Sequence, residues 1–225
     1  MELFDKIYQM LIAGGAWLTI LKGLWMTVKI SAAALALGTL LGALICGMRR
    51  SRLALLRTPA KIYIAVLRGS PVLMLLLLFY YVVFARSRMD AWLVAVIAFG
   101  MNTAAYIAEL MRTALDATDP GQVEAARTLG FSKWDAFRLI TLPQAAHIAR
   151  PVYQSTIVNL IQWTSVVGYV TITDLTRVIN NISARTMQPL FMIIVGILLY
   201  LALAYAVNGI FALSELIKRK GGEAA

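Results

Sequence analysis

Charge is scarce in this chain, and acidic charge scarcest: 14% of the 225 residues are charged, and 11 Asp and Glu stand against 21 Lys and Arg. Cysteine and histidine occur once each, as Cys46 and His147. A single cysteine permits no internal disulfide and no cysteine-based metal cluster. Inside its apolar run, Cys46 reads as a small core hydrophobe. The lone His147, close to Arg150 at the exit of a loop, reads as a surface residue rather than a metal ligand. No Gly-x-x-x-x-Gly-Lys-[Ser/Thr] segment occurs, so the chain has no phosphate-cradling loop with which to use ATP itself. There is also no Ser-His-Asp set, no Cys-His pair, no His-Glu-x-x-His and no cluster of carboxylates, which leaves an enzyme without visible chemistry. The first residues contain Glu2 and Asp5 and lack a basic stretch, so no cleaved signal peptide is expected.

What is abundant is apolar surface: 60% of residues are hydrophobic and the mean hydropathy is +0.77, far above an ordinary soluble domain. A bilayer is the expected solvent. Its hydrocarbon core of about 30 Å needs about 20 largely apolar helical residues per span, and five segments qualify: 24–47, 60–84, 91–113, 150–172 and 189–214. The expected fold is an all-α integral membrane protein of one domain, 1–225. Residues 1–16 place Leu3, Phe4, Ile7, Tyr8 and Leu11 at helical spacing, a pattern for a short helix lying in the membrane interface. Trp17 and Trp25 read as aromatic-belt anchors.

Basic residues sort the connections. Arg49, Arg50, Arg52 and Arg57 crowd the first without an acid, and Lys218, Arg219 and Lys220 end the chain. The second and fourth connections are weakly charged. By the positive-inside rule the N-terminus is outside and the C-terminus inside. The basic excess is then a topology signal, and nucleic-acid binding is not expected, because no basic patch is interleaved with exposed aromatics.

The third connection, 114–149, is long and structured. Asp119 precedes Pro120 as an N-cap precedes a first-turn proline, and Gly130 stands where a left-handed residue would end a helix of 120–129. Ser132, with Asp135 three residues on, starts a second short helix that Pro143 is expected to bound. The result is a compact elbow on the cytoplasmic side.

The elbow reads Glu124-Ala125-Ala126, then Gly130, Ile140 and Leu142-Pro143. That spacing resembles the EAA loop of ABC importer permeases. The resemblance runs over nearly the whole chain and points to the polar amino acid uptake branch: Thr27-Val28-Lys29-Ile30-Ser31, Arg68-Gly69-Ser70-Pro71, and Asn102 through Arg112 with Tyr106 and Glu109 are similar to that branch's first three spans. One departure stands in the fourth span, where Gln162-Trp163-Thr164-Ser165-Val166 replaces Lys-Asp-Thr-Ser-Leu or a relative of it. The resemblance implies the type I importer permease fold, with the loop as a coupling helix docked on a separate ATPase that binds ATP and Mg in two copies. It further implies a second permease chain, identical or related, an extracytoplasmic solute-binding protein, a small polar solute as cargo, and residence in the bacterial cytoplasmic membrane among its lipids. Ala125 and Ala126 would allow close approach, Gly130 the turn, and Glu124 a polar contact.

Polar residues within spans are costly and should face a cavity, a partner or the bundle interior. Pro71, Asn102 and Gln162 fall near the expected midplane of three different helices, as a solute site would. Gly69 and Pro71 suit either a broken helix that frees backbone groups for a ligand, or a packing glycine beside a tolerated kink. Arg68 and Glu109 lie at depths where an ion pair is feasible, either as a structural clamp or as a functional pair. Thr164 and Ser165 suit either interhelical hydrogen bonding or the pathway. A non-transporting scaffold that docks an ATPase through the same loop is the alternative of a different class, and a channel is the third.

Overall fold

The computed structural model describes residues 15–222; the expected interfacial helix falls mostly on residues outside these. All regular elements among the described residues are helical. In chain order they are α1 (Ala16–Arg50), α2 (Ala54–Gly69), α3 (Val72–Leu78), α4 (Ala91–Asp116), α5 (Pro120–Thr128), α6 (Lys133–Ala136), α7 (Leu142–Trp163), α8 (Leu175–Thr186) and α9 (Pro189–Gly222). A π turn continues α3 through Phe79–Val83, a second joins α6 to α7 over Phe137–Thr141, and a 3₁₀ segment, Thr164–Val170, extends α7.

By length and apolar composition α1, α4 and α9 are able to cross a membrane. The expected second span is broken: α2 and the α3 segment meet at 109°, and they make a fourth span if counted together. The expected fourth span is divided between the second half of α7 and the 3₁₀ segment.

The chain packs as two compact units. One comprises the chain up to Leu35, Val72–Phe99 and the part from Ile157 onward; the other comprises Ala36–Pro71 and Gly100–Thr156. In the first unit, Ala16 and Ile20 of α1 pack with Leu175, Val178, Ile179 and Ile182 of α8 and Met192 of α9. Asp174, fully buried, caps α8 by accepting from the backbone N–H of Thr176 and Arg177, each at 3.0 Å. Thr27 Oγ1 accepts from Leu175 N, and the Tyr200 hydroxyl pairs with Thr176 Oγ1 at 2.8 Å. Burial pushes the Asp174 carboxyl above the ordinary carboxylate range, while the N–H groups that cap on it pull the other way. Lys29 is accommodated by Trp92, whose ring centroid lies 3.5 Å from its Nζ, a cation–π contact that offsets part of the cost of a charge in an apolar helix.

In the second unit, Ile45 and Cys46 of α1 pack with Ala60 and Ile64 of α2 and Ala104 and Ala108 of α4. Cys46 is buried and free. The α1–α4 contact is made by a Gly38-x-x-x-Gly42 repeat: a Cβ at Gly38 would come within 2.9 Å of Thr103, and one at Gly42 within 2.9 Å of Ile107. Only glycine admits backbones that close, which is how helices gain dispersion contact where lipid supplies no hydrophobic drive.

Candidate functional site

Two regions of the second unit hold most of the residues singled out above, and each is built differently. The elbow is made by local rules. Pro120 occupies the first turn of α5, and Asp119 Oδ1 accepts from Gly121 N at 2.8 Å. At the other end Gly130 takes φ +92°. Its N–H bonds Arg127 O at 3.2 Å, and Phe131 N bonds Ala126 O at 3.1 Å. This pair of bonds is a Schellman closure, which a left-handed glycine makes accessible. Ser132 then caps α6, accepting from Asp135 N at 3.1 Å while its hydroxyl bonds the Asp135 carboxylate.

Pro143 does not bound the second helix. The chain stays helical from Lys133 through Trp163, with the π turn Phe137–Thr141 immediately before the proline. Proline lacks an N–H and crowds the carbonyl four residues back. The widened turn absorbs this, and Leu142 N reaches Phe137 O as an i→i−5 bond.

Folding the elbow back on α7 leaves an open groove of about 540 Å³ whose walls include Ala125, Ala126, Leu129, Leu139, Ile140 and Pro143. Gln144 Nε2 bonds Gln122 Oε1 across it at 2.5 Å. Glu124 is exposed, and Leu129 is 80% and Leu139 58% exposed. Apolar side chains held open beside a carboxylate form a surface suited to a protein partner. Leu142 is exposed at the start of α7, and His147 lies exposed one turn on.

The second region is the break after α2. Pro71 cannot donate the helical hydrogen bond to Leu67 O, and Ser70 is extended at φ −96°, ψ 139°. The freed carbonyl is not left for a ligand: Asn102 Nδ2 of α4 donates to it at 2.7 Å. Asn102 is 2% exposed, and its Oδ1 has no partner among the described residues. A Cβ at Gly69 would meet nothing within 4 Å, so Gly69 is not a packing glycine. Ser70 Oγ bonds Val66 O at 2.8 Å. The kink reading and the broken-helix reading thus resolve to a true break, closed by a tertiary side-chain donor.

The feasible Arg68–Glu109 ion pair is not the one formed. Glu109 pairs with Arg112 on its own helix at 2.6 Å, Arg112 continues to Asp116 at 2.6 Å, and Asp116 receives Arg50 from α1. An i,i+3 partner needs no second helix to reach it. Arg68 instead lies over the Tyr106 ring, 5.2 Å from its centroid. Arg112 and Asp116 were legible as i+3 and i+7 from Glu109, and the pattern of one charged face on α4 was the available signal. In the first unit, Thr164 is buried and donates to Ile161 O at 2.7 Å, the local helical bond that small hydroxyls make. Gln162 is exposed and Ser165 partly buried. No group of three or more His, Cys, Asp or Glu among the described residues is arranged to hold a metal ion.

An apolar helical body, a broken span and an exposed elbow beside a groove define a membrane transport subunit that presents a handle to a partner. Residues 34–216 match the family described as the binding-protein-dependent transport system inner membrane component, and the chain belongs to that family. It is 35% identical over 201 residues to the probable amino-acid ABC transporter permease protein YckA of Bacillus subtilis, covering 89% of both chains. Among solved structures, an amino acid ABC transporter crystallised with histidines superposes with a TM-score of 0.79 at 31% identity, over 88% of this chain and 92% of that one. A MetNI methionine ABC transporter in an inward-facing conformation shares the fold at TM-score 0.71 and 18% identity, over 90% of this chain and 96% of that one. The chain is therefore an all-helical, multi-pass inner-membrane permease component of an ABC transporter with the type I importer fold, and the ATP-hydrolysing subunit is a separate protein. These relatives favour the permease over the non-transporting scaffold.

Proposed function

We propose that this chain forms part of the route by which a polar amino acid, delivered by an extracytoplasmic binding protein, crosses the inner membrane, and that its elbow docks the ATPase. The carrying observation is the elbow itself: Glu124, Ala125, Leu129 and Leu139 stand exposed around an open groove of about 540 Å³, on a helix pair whose caps are all satisfied locally. A rigid, apolar, exposed handle transmits force; a solvated loop does not. The amino acid cargo is taken from the names of the YckA protein and of the transporter solved with histidines.

In this reading the chain is one domain of five spans, 24–47, 60–84, 91–113, 150–172 and 189–214, with the N-terminus outside and the elbow and C-terminus in the cytoplasm. Two permease chains, identical or related, enclose the path, and two ATPases hold ATP and Mg. Closure of the ATPases pulls Glu124–Pro143 and opens the outer side. Arg68 to Pro71, Asn102 and Tyr106 line the path beside the broken helix, Glu109 holds α4 in register through Arg112, and Gln162, Thr164 and Ser165 contribute from the fourth span.

The test is ATPase stimulation in liposomes that contain the complete importer and a loaded binding protein. Glu124→Arg and Gly130→Asp should insert normally and abolish the stimulation, the first by reversing a contact charge and the second by placing a side chain at φ +92°. Full stimulation in both variants sinks the docking role; stimulation of the wild type without any binding protein sinks the importer.

A further inference from the structure

Outside the elbow and the helix break, the most built polar feature is a pocket in the first unit at the start of α8. Its volume is about 220 Å³, and it is lined by Ser165, Gly168, Tyr169, Thr176, Arg177 and Asn180. Five of these six carry a hydrogen-bond donor in the side chain and none is acidic. The Arg177 guanidinium is held at one end, where Nη1 donates to Gly168 O at 2.6 Å. No carboxylate forms an ion pair with it among the described residues. The adjacent Asp174 carboxylate is turned onto the backbone, where its two oxygens accept from Thr176 N and Arg177 N, and it does not pair with the guanidinium.

A guanidinium has five N–H donors in a rigid plane, matched to a carboxylate's two oxygens. Anchoring one donor on a backbone carbonyl removes much of the side chain's freedom before a ligand arrives, so less is lost on binding. The pocket's size limits the ligand. Whole-ligand pockets span roughly 300–1,000 Å³, so this one admits a headgroup and leaves the remainder of the molecule outside.

We infer that the Arg177 pocket is a subsite for the α-carboxylate of the transported amino acid. This rests on the amino acid importer reading and adds which residues hold the group common to every such cargo. Arg177 bonds the carboxylate, Ser165 and Asn180 supply neutral donors, and the cargo's side chain remains outside the pocket. The subsite therefore grips amino acids as a class without choosing among them.

Saturation-transfer NMR on the complete importer in detergent, without binding protein, tests this with acetate and glycine as probes and ethylamine as the control lacking a carboxylate. Transfer to acetate and glycine, and none to ethylamine, is expected for the wild type. Charge-assisted bonds of this kind are worth about a tenfold change in occupancy, so Arg177→Gln should lower the signal by about that factor. Arg177→Lys, which keeps the charge, should retain part of it. Ser165→Glu leaves Arg177 on Gly168 and fills the pocket with a tethered carboxylate; it should lower the signal as much as Arg177→Gln, and covers the case in which that variant folds poorly. Equal acetate signals in the wild type and both charge-altering variants would overturn the subsite, as would equal signals from ethylamine and acetate. So would an unchanged acetate signal combined with weaker docking of the loaded binding protein on Arg177→Gln, which would assign the guanidinium to an acidic residue of that partner. Failure of every loaded binding protein to stimulate the wild-type ATPase would instead overturn the importer reading, independently of the probe signals.

Discussion

Two helices among the described residues are capped by an aspartate side chain, and they share little else. Asp119 caps α5 of the elbow from an exposed position. Asp174 caps α8 from a fully buried one, beneath the hydroxyl of Tyr200 and beside Thr27. In the elbow the cap is local, made by neighbours two residues apart and replaceable by water. At α8 the same chemistry is a tertiary joint, because the buried carboxylate also receives the Tyr200 hydroxyl of α9. The same residue type is a detail in one region and a keystone in the other: Asp119 accepts one backbone N–H in the open, and Asp174, buried, accepts two and the Tyr200 hydroxyl.

The largest effect should follow from Asp174→Ala. It leaves two partly buried backbone N–H groups without their acceptor and should cost about 2–3 kcal/mol, read as a lowered unfolding temperature of the purified chain. A loss no larger than that of the exposed cap would break the comparison. Next, Asn102→Ala strands the Leu67 carbonyl and should cost about 2 kcal/mol. Pro71→Ala supplies an N–H that reaches the same carbonyl once Ser70 turns from extended to helical, so the double variant should recover part of that loss. A strictly additive double-mutant cycle would mean that Asn102 does not stand in for the missing proline donor.

Asp119→Ala should cost about 1 kcal/mol. Its effect should stay within the elbow, seen as faster hydrogen exchange at residues 121–123 with no change at α8. The smallest effect is a pH slope. Because burial raises the Asp174 carboxyl above its ordinary value of 3.8, the folded chain holds a proton there that the unfolded chain has released. Stability therefore falls as pH rises from the ordinary carboxylate value through the raised one, and Asp174→Asn should flatten that slope in a thermal titration.

Legibility follows the same division. Asp119, Pro120, Gly130 and Ser132 announced the elbow because caps and left-handed glycines act within a few residues. Pro143 did not behave as a helix stop, because a π turn ahead of it absorbed the lost hydrogen bond. The apolar runs marked α1, α4 and α9 by length alone. The second run did not disclose its 109° bend, although Gly69 and Pro71 pointed to its place. Depth along two helices running in opposite directions suggested Arg68 for Glu109, whereas the nearer partner on the same helix, Arg112, took it. The Gly38-x-x-x-Gly42 repeat was open to view, but its facing residues, Thr103 and Ile107, are set by the packing of α1 on α4.

What the amino-acid order determined by itself was membrane residence, the long apolar helices α1, α4 and α9 and the shape of the elbow, since these depend on transfer of apolar side chains and on bonds between near neighbours. What only the tertiary structure decided was which buried groups meet: Asn102 with the carbonyl released by Pro71, Arg177 with Gly168, Asp174 beneath Tyr200. The first and last join residues 35 and 26 positions apart and the second closes the turn between α7 and α8, so the pairing is chosen by how the helices pack and not by spacing along the sequence.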